Sequence, residues 1–364
     1  MAAVPAATPA APDTAVVVPP APARSPGYYV RQRLWANRPA VAGLGFIIVC
    51  ALVALLGYWI LPDNSPDANN GLVQLQKQLP GYTATLRQVP DPTAAPPGNA
   101  LQVWLHGQPP QVRDEIVGFG KETQALRTRH QALTTTRTYW LGTDKAGRDE
   151  LSRLLLGTRI SLGIGLVAVL ISLALGIVVG ALAGYFGGWL DSVLLGLMTV
   201  VWSIPGIMLV IAISLALDSK GVWVSFVAVG LTMWVDVARV VRGQVLGLRS
   251  ATFIEAGRVL GLPTSRLIFV HLLPNLRGPL IVLATSNFAS AILLEAGLSF
   301  LGLGVQPPAP SWGLMVKEGY DLLGTQAGLW LTLLPGLAIS LLVLSFNLLG
   351  NGLRDAFDPK TPVG

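Results

Sequence analysis

The sequence predicts an all-α integral membrane protein with six transmembrane helices. Hydrophobic residues make up 52% of the chain and charged residues only 12%, a balance unlike that of a water-soluble domain. Several runs of about 20 apolar residues match the hydrocarbon thickness of a bilayer. Basic residues gather beside those runs, at Arg31, Arg33 and Arg38 and again from Arg242 to Arg277. In such a chain a net charge of +6 reports loop topology, and nucleic-acid binding is not expected. The single cysteine, Cys50, lies in the first apolar run, which excludes an internal disulfide and a cysteine metal site.

Residues 1–30 read as a disordered cytoplasmic tail rich in Ala and Pro; such a composition cannot bury a core. A basic flank and the first span, Val41 to Leu61, occupy residues 31–61, and the positive-inside rule puts the N-terminus in the cytoplasm. Residues 62–138 form a polar insertion on the opposite, extracytoplasmic side. Within it, Thr83–Val89 and Leu101–His106 alternate enough to suggest short strands, and Asp114 to Thr136 suggests a helix. The stretch Gly118-Phe119-Gly120-Lys121-Glu122 imitates a phosphate loop. Glu115 and Glu122 replace the first glycine and the metal-binding hydroxyl such a loop needs, so no nucleotide site is expected.

Residues 139–364 carry the remaining five spans. The second span, Ser161 to Tyr185, has Ser172, Gly176, Gly180 and Gly184 at four-residue spacing, a stripe that lets another helix approach closely. The third, Ser192 to Leu217, contains Pro205-Gly206 and should kink there. The fourth runs from Val222 to Val241, with Asp236 and Arg239 expected to snorkel at its cytoplasmic end. The fifth, Pro279 to Leu301, holds Ser286, Asn287 and Glu295. A Pro- and Gly-rich stretch, 302–328, precedes the sixth span, Leu329 to Leu349. Pro205, Ser286, Asn287 and Glu295 are candidate pathway or gating residues, because polar groups and broken helices inside a bilayer are costly. Glu295 has a second reading, hydrogen bonding to loop backbone. Six crossings return the C-terminus to the cytoplasm. Against that topology, Lys145, Arg148, Arg153 and Arg159 fall on the outer side, although long loops largely escape the charge rule.

Between the fourth and fifth spans lies a polar stretch, Thr252 to Asn275, within a loop spanning about 242–277. Its pattern predicts a helix, a break at Gly261 and Pro263, and a second helix stopped by Pro274. Thr252 and Glu255 have the spacing of a capping box, so Glu255 is either a cap or a contact for a partner. Catalytic arrangements are absent from the sequence: the three histidines lack metal-ligand spacing, and no serine-hydrolase or zinc-protease motif occurs. The chain is not expected to be an enzyme.

Three stretches carry a family resemblance. Glu255-Ala256-Gly257-Arg258, then Gly261, then nine residues to His271-Leu272-Leu273-Pro274, resembles the cytoplasmic Glu-Ala-Ala loop of bacterial ABC importers, with departures at Gly257 and His271. The second stretch runs from Trp140 to Arg153 and includes Thr143, Asp144, Gly147, Arg148, Asp149 and Arg153; the third runs from Glu295 to Gly313. Together they resemble the second permease subunit of dipeptide/oligopeptide ABC importers, over about residues 28–61 and 138–360. The resemblance implies a type I importer fold and a position in the bacterial inner membrane. It implies a homologous permease as heterodimer partner, two ABC ATPase subunits and an extracytoplasmic substrate-binding protein. ATP and Mg would sit in those ATPases, with no cofactor bound by this chain. Glu255, Ala256, Gly257, Arg258, Gly261, Leu273 and Pro274 would form the ATPase-coupling loop. The Asp144, Arg148 and Asp149 group reads either as an ion-pair and capping cluster or as a binding-protein contact. Cargo other than peptides (a nickel chelate, glutathione, a peptide antibiotic) fits the same machinery, and a self-sufficient secondary carrier is the competing class.

Overall fold

The structure, a computed structural model, describes residues 25–92, 94–96, 98–116, 134–219 and 221–358. Most of the tail and the Gly118–Glu122 stretch lie outside the described residues. Residues 26–30 belong to a helix instead: α1 (Pro26–Ala36) opens with a proline, where the missing N–H does no harm. Asn37 then caps α2 (Arg38–Leu56) by accepting from the Ala40 N–H at 3.2 Å.

The insertion holds the departure from an all-α chain. Strand β1 (Tyr82–Pro90) lies between β2 (Val112–Ile116) and β3 (Thr134–Tyr139) in an antiparallel sheet. Leu86 pairs with both Ile116 and Thr135, and Leu75, Ala84, Leu86 and Tyr139 form the small core beneath. The β-branched run in β3 suits a pleated surface, so the helix expected from Asp114 to Thr136 is strand at both described ends. Leu101–His106, expected as a strand, lies in α3 (Ala100–His106). Asn99 and Gln102 form a reciprocal capping box there, which outweighs the weak alternation.

Helix α4 (Glu150–Phe186) starts well before the expected second span. At 1.5 Å per residue it is about 55 Å long, so its first turns stand outside the bilayer. Asp149 caps it, accepting from the Ser152 N–H at 2.9 Å, and burial pushes the Asp149 carboxyl above its ordinary range. The basic residues that hid this start are neutralised. Arg148 pairs with Asp144 at 2.6 Å and with Glu318 at 3.3 Å; Arg153 pairs with the same two acids at 3.4 Å. Arg148 also donates to Asn69, and Arg153 to the Pro308 carbonyl. Lys145 reaches Glu318 at 3.4 Å, and Arg159 stacks on Trp104. Acids and carbonyls thus satisfy these basic groups within the fold.

The glycine stripe of α4 packs on α7 (Val222–Leu248). Added Cβ atoms at Gly176, Gly180 and Gly184 would run into Val237, Val241 and Val245 respectively. The third apolar run is broken rather than kinked. α5 (Gly188–Trp202) and α6 (Gly206–Ala216) meet at 93°, since Pro205 lacks an N–H and forces Ile204 out of helix. Neither half, at about 22 and 16 Å, spans the hydrocarbon core alone. Their contacts show that together they do. Asp191, near the start of α5, pairs with Arg242 near the end of α7 at 2.5 Å. Near the end of α6, Ser214 donates to Leu303, and Gly221 at the start of α7 donates to Gly304. The pair therefore runs the length of α7 in the opposite direction and counts as one broken crossing.

With α2, α4, α7, α11 (Arg277–Phe300) and α13 (Gln326–Phe357) this makes six crossings. Between α7 and α11 lie α8 (Thr252–Val259), α9 (Thr264–Arg266), a π turn (Leu267–Leu272) and α10 (Leu273–Asn275). The Pro- and Gly-rich stretch 302–328 is not all loop: Ser311 caps α12 (Trp312–Tyr320), which supplies Glu318. α13 continues past the expected end of the sixth span, with Pro335 buried inside it. Arg33 of α1 donates to the Asp358 carbonyl at 2.6 Å, tying the N-terminal helix to the end of α13.

Glu318 is buried with two arginines and one lysine around it. Removing one partner leaves buried charge uncompensated, at about 3–5 kcal/mol. Glu318→Ala is therefore expected to lower the unfolding temperature of the purified protein sharply. A melting curve unchanged from the parent would contradict a tethering role for this network.

Candidate functional site

Two regions of the membrane domain combine exposure with polar groups. The first is the hairpin after α7. Helix α8 buries Ile254 and Gly257 and exposes Glu255, Ala256, Arg258 and Val259. Its end is a Schellman motif: the Leu262 N–H donates to the Gly257 carbonyl at 3.0 Å, and the Gly261 N–H to the Arg258 carbonyl at 2.9 Å. Gly261 has φ +72°, a conformation that penalises side chains. Gly257, one of the two departures from the family pattern, lies where a Cβ would sit 2.8 Å from the Leu267 side chain. The glycine gives the second arm of the hairpin room to lie against the first.

The capping box does not form. Ala251 is the N-cap, Thr252 is already helical, and no side chain caps this end. Glu255 is exposed, and its carboxylate has no hydrogen bond or ion pair among the described residues. Arg258 stacks on Tyr185 at the end of α4. The second arm does not stop at Pro274. A π turn and α10 carry the chain past it, and only Leu276 separates this arm from α11. The missing proline N–H is accommodated where the bonding pattern has already changed.

The buried side of the hairpin is continuous with the crossing helices. Ile254, Ile268, Leu272 and Leu276 share one apolar cluster with Val237, Val241 and Val245 of α7 and Ala181 of α4, and Leu273 packs against it. The outer side is uncovered: Val259 is 88% exposed and Leu260 80%. An amphipathic hairpin thus packs on two crossing helices and presents bare apolar side chains beside an unpaired carboxylate.

The second region is a cavity of about 200 Å³ at the break between α5 and α6. Ile204 and Gly206, which flank Pro205, line it with Trp202, Thr232, Asp236 and Asn287. Asp236 does not sit at the end of its helix. Because α7 continues to Leu248, Asp236 lies about 9 Å of helix inward of Arg242. It accepts from the Trp202 indole at 3.2 Å, and Arg239 stacks on the same indole and donates to Thr199. Both are engaged where they stand instead of snorkelling. The expected end of this span came from the charges, which ended the apolar run early. An exposed carboxylate at that depth belongs against protein or water, not lipid.

The remaining candidate residues separate. Ser286 lines a different cavity, of about 600 Å³, with Gln244, Pro279 and Arg354. Glu295 is buried away from both cavities, accepting from Ser299 at 2.8 Å and Ser161 at 3.5 Å. Ser299 in turn accepts from the Val305 N–H. That geometry ties α4, α11 and the following loop together. Thr143, Asp144, Arg148, Asp149 and Arg153 are all buried in the network at the start of α4. Gly147, with φ +74°, packs against Leu72. Sequence reasoning did not single out Glu318 or the depth of Asp236. A Trp312-to-Tyr320 amphipathic pattern after Ser311 was the available signal for the first.

The two faces of the hairpin make opposite predictions. Ile254→Ala removes a fully buried side chain and is expected to destabilise by about 2–5 kcal/mol. Leu260→Ala should change stability by less than about 0.5 kcal/mol. Equal losses in thermal unfolding would show that the outer face is part of the fold.

Comparison with known proteins agrees with this architecture. A family model described as a binding-protein-dependent transport system inner membrane component matches residues 176–362. Another, the N-terminal TM domain of oligopeptide transport permease C, matches residues 25–78. The dipeptide transport system permease protein DppC of Haemophilus influenzae is 33% identical over 333 residues, covering 92% of this chain and 93% of that one. The oligopeptide transport system permease protein OppC of Bacillus subtilis is 39% identical over 225 residues, 62% of this chain and 73% of that one. The glutathione transport system permease protein GsiD of Pectobacterium atrosepticum is 42% identical over 222 residues, 61% and 72% of the respective chains. With its six crossings and its polar hairpin, the chain belongs to the binding-protein-dependent transport system inner membrane components, as a permease of the dipeptide/oligopeptide ABC importer kind.

Proposed function

We propose that this permease forms half of a translocation pathway for di- and oligopeptides and couples it to cytoplasmic ATPase subunits through the 252–275 hairpin. The observation that carries the reading is the hairpin's uncovered face, with Glu255 unpaired and Val259 and Leu260 bare. Such a surface calls for a protein partner, and the Glu255, Gly261 and Pro274 spacing fits an ABC ATPase. ATP and Mg belong to that partner. Charge supports the orientation. Arg31, Arg33, Arg38, Arg258, Arg266, Arg277 and Arg354 lie at the hairpin end, which the positive-inside rule puts in the cytoplasm with both termini. The insertion, 62–138, then lies outside, on the side from which a binding protein delivers cargo.

Coupling follows from the apolar cluster that joins the hairpin to α4 and α7. When two ATPases close on ATP, the hairpin moves with them, and the helices fused to it tilt. The pathway passes from inward-open to outward-open, two sites coupled through one bistable element. A homologous permease supplies the other half of the pathway. The cargoes that name these relatives, dipeptides, oligopeptides and glutathione, share a short amide-linked backbone with charged ends.

The native complex is expected to co-purify with two ATPase subunits and a second permease. Recovery of ATP-independent transport by this chain alone would overturn the reading. Glu255→Ala and Gly261→Asp should insert normally yet lower peptide uptake at least tenfold in proteoliposomes. The first loses the contact, and the second strains a left-handed turn. Parental uptake by both variants would refute a docking role.

A further inference from the structure

The cavity at the broken third crossing contains groups that the fold leaves unused. Asn287 is 5% exposed, and its Nδ2 is buried without a hydrogen-bond partner. Orphaned buried amides are uncommon, because each forfeits the hydrogen bonds it made in water. Asp236 lines the same cavity, exposed and well inside the crossing, and among the described residues its carboxylate accepts only from the Trp202 indole. Its nearest basic neighbour on α7, Arg239, is held by Thr199 and by stacking on Trp202. Thr232 and Ser290 complete the polar lining, and Val201, Met233 and Leu294 the apolar part.

We infer that this cavity is a transient station for the cargo's main chain. The Asp236 carboxylate receives the protonated amino terminus, and the Asn287 amide pairs with a peptide group. The chemistry selects the ligand class. A lone carboxylate favours a cation, and a primary amide offers one donor and one acceptor side, as a peptide group does. Side chains of the cargo meet only generic apolar walls, so the station reads backbone and is tolerant of sequence. Its position at the break in the third crossing matters: unwound backbone near the middle of a membrane is tolerated where it lines a cavity. Tilting α5 against α6 would open and close this site. The inference rests on the peptide-permease reading above and adds the residues that hold cargo in transit.

The test uses the complete transporter in proteoliposomes, with binding protein saturated by a tripeptide, and reads peptide taken up per ATP hydrolysed. Asn287→Leu and Asp236→Asn are each expected to lower that ratio tenfold or more, while Asn287→Gln and Asp236→Glu restore at least half of it. Thermal unfolding of the detergent-solubilised complex separates positioning from scaffolding. Asn287→Leu should assemble with its partners and melt no lower than the parent, because the amide has no bond in the fold to lose. Parental coupling in both disruptive variants overturns the inference, and so does a loss of uptake that tracks a loss of assembly. Absence of ATP-driven uptake by the parent complex would instead overturn the permease reading, so the two failures are distinguishable.

Discussion

The close approach of α4 and α7 is the contact on which the rest depends. Three glycines at four-residue spacing remove the side chains that would hold the helices apart, and valines of α7 fill the space. In a bilayer, helices gain little from hydrophobicity when they associate, so such close packing is a main source of their cohesion. The column that results carries both candidate regions. Asp236 projects from the middle of α7, and the hairpin follows directly from its end, held in a cluster that includes both helices. The packed pair of helices therefore borders both the hairpin's apolar cluster and the cavity.

Charge is handled differently at the two ends. At the insertion end, arginines and a lysine are matched by Asp144 and Glu318 and are mostly buried. There they act as rivets between the insertion, the start of α4 and α12. At the hairpin end, Arg266 and Arg277 are exposed, as is the carboxylate of Glu255. Buried, paired charge builds scaffold, and exposed charge is available to a partner. The same distinction separates Glu295, enclosed by serine hydroxyls, from Asp236, which faces an open cavity.

Much of this was legible in the sequence, and the reasons are physical. Apolar runs of bilayer length located every crossing, and the glycine spacing marked the face of α4 on which another helix packs, though not which helix. Gly261 was readable as a helix stop because few other residues take its backbone angles at low cost. What was not legible depended on distant partners. The early start of α4 was hidden because Arg153 looks like an interfacial charge until Glu318, far along the chain, is placed beside it. Asp236 looked terminal for the same reason. The capping box of α8 matched in letters and failed in geometry, because the helix begins one residue earlier than the motif requires: Thr252 is its first residue and Ala251 takes the cap position. The insertion was misread in two places where short-range alternation competed with capping and strand pairing.

The central claim is that the hairpin's bare face meets an ATPase in the cytoplasm, and accessibility tests it most directly. Cys50 is buried, so Val259→Cys introduces one reactive thiol on that face. In intact cells a membrane-impermeant thiol reagent should leave it unlabelled. In inside-out vesicles the same thiol should crosslink to an ATPase subunit, with a yield that changes when ATP is bound. Labelling from the outside of intact cells, or crosslinking that never includes an ATPase, would contradict the account.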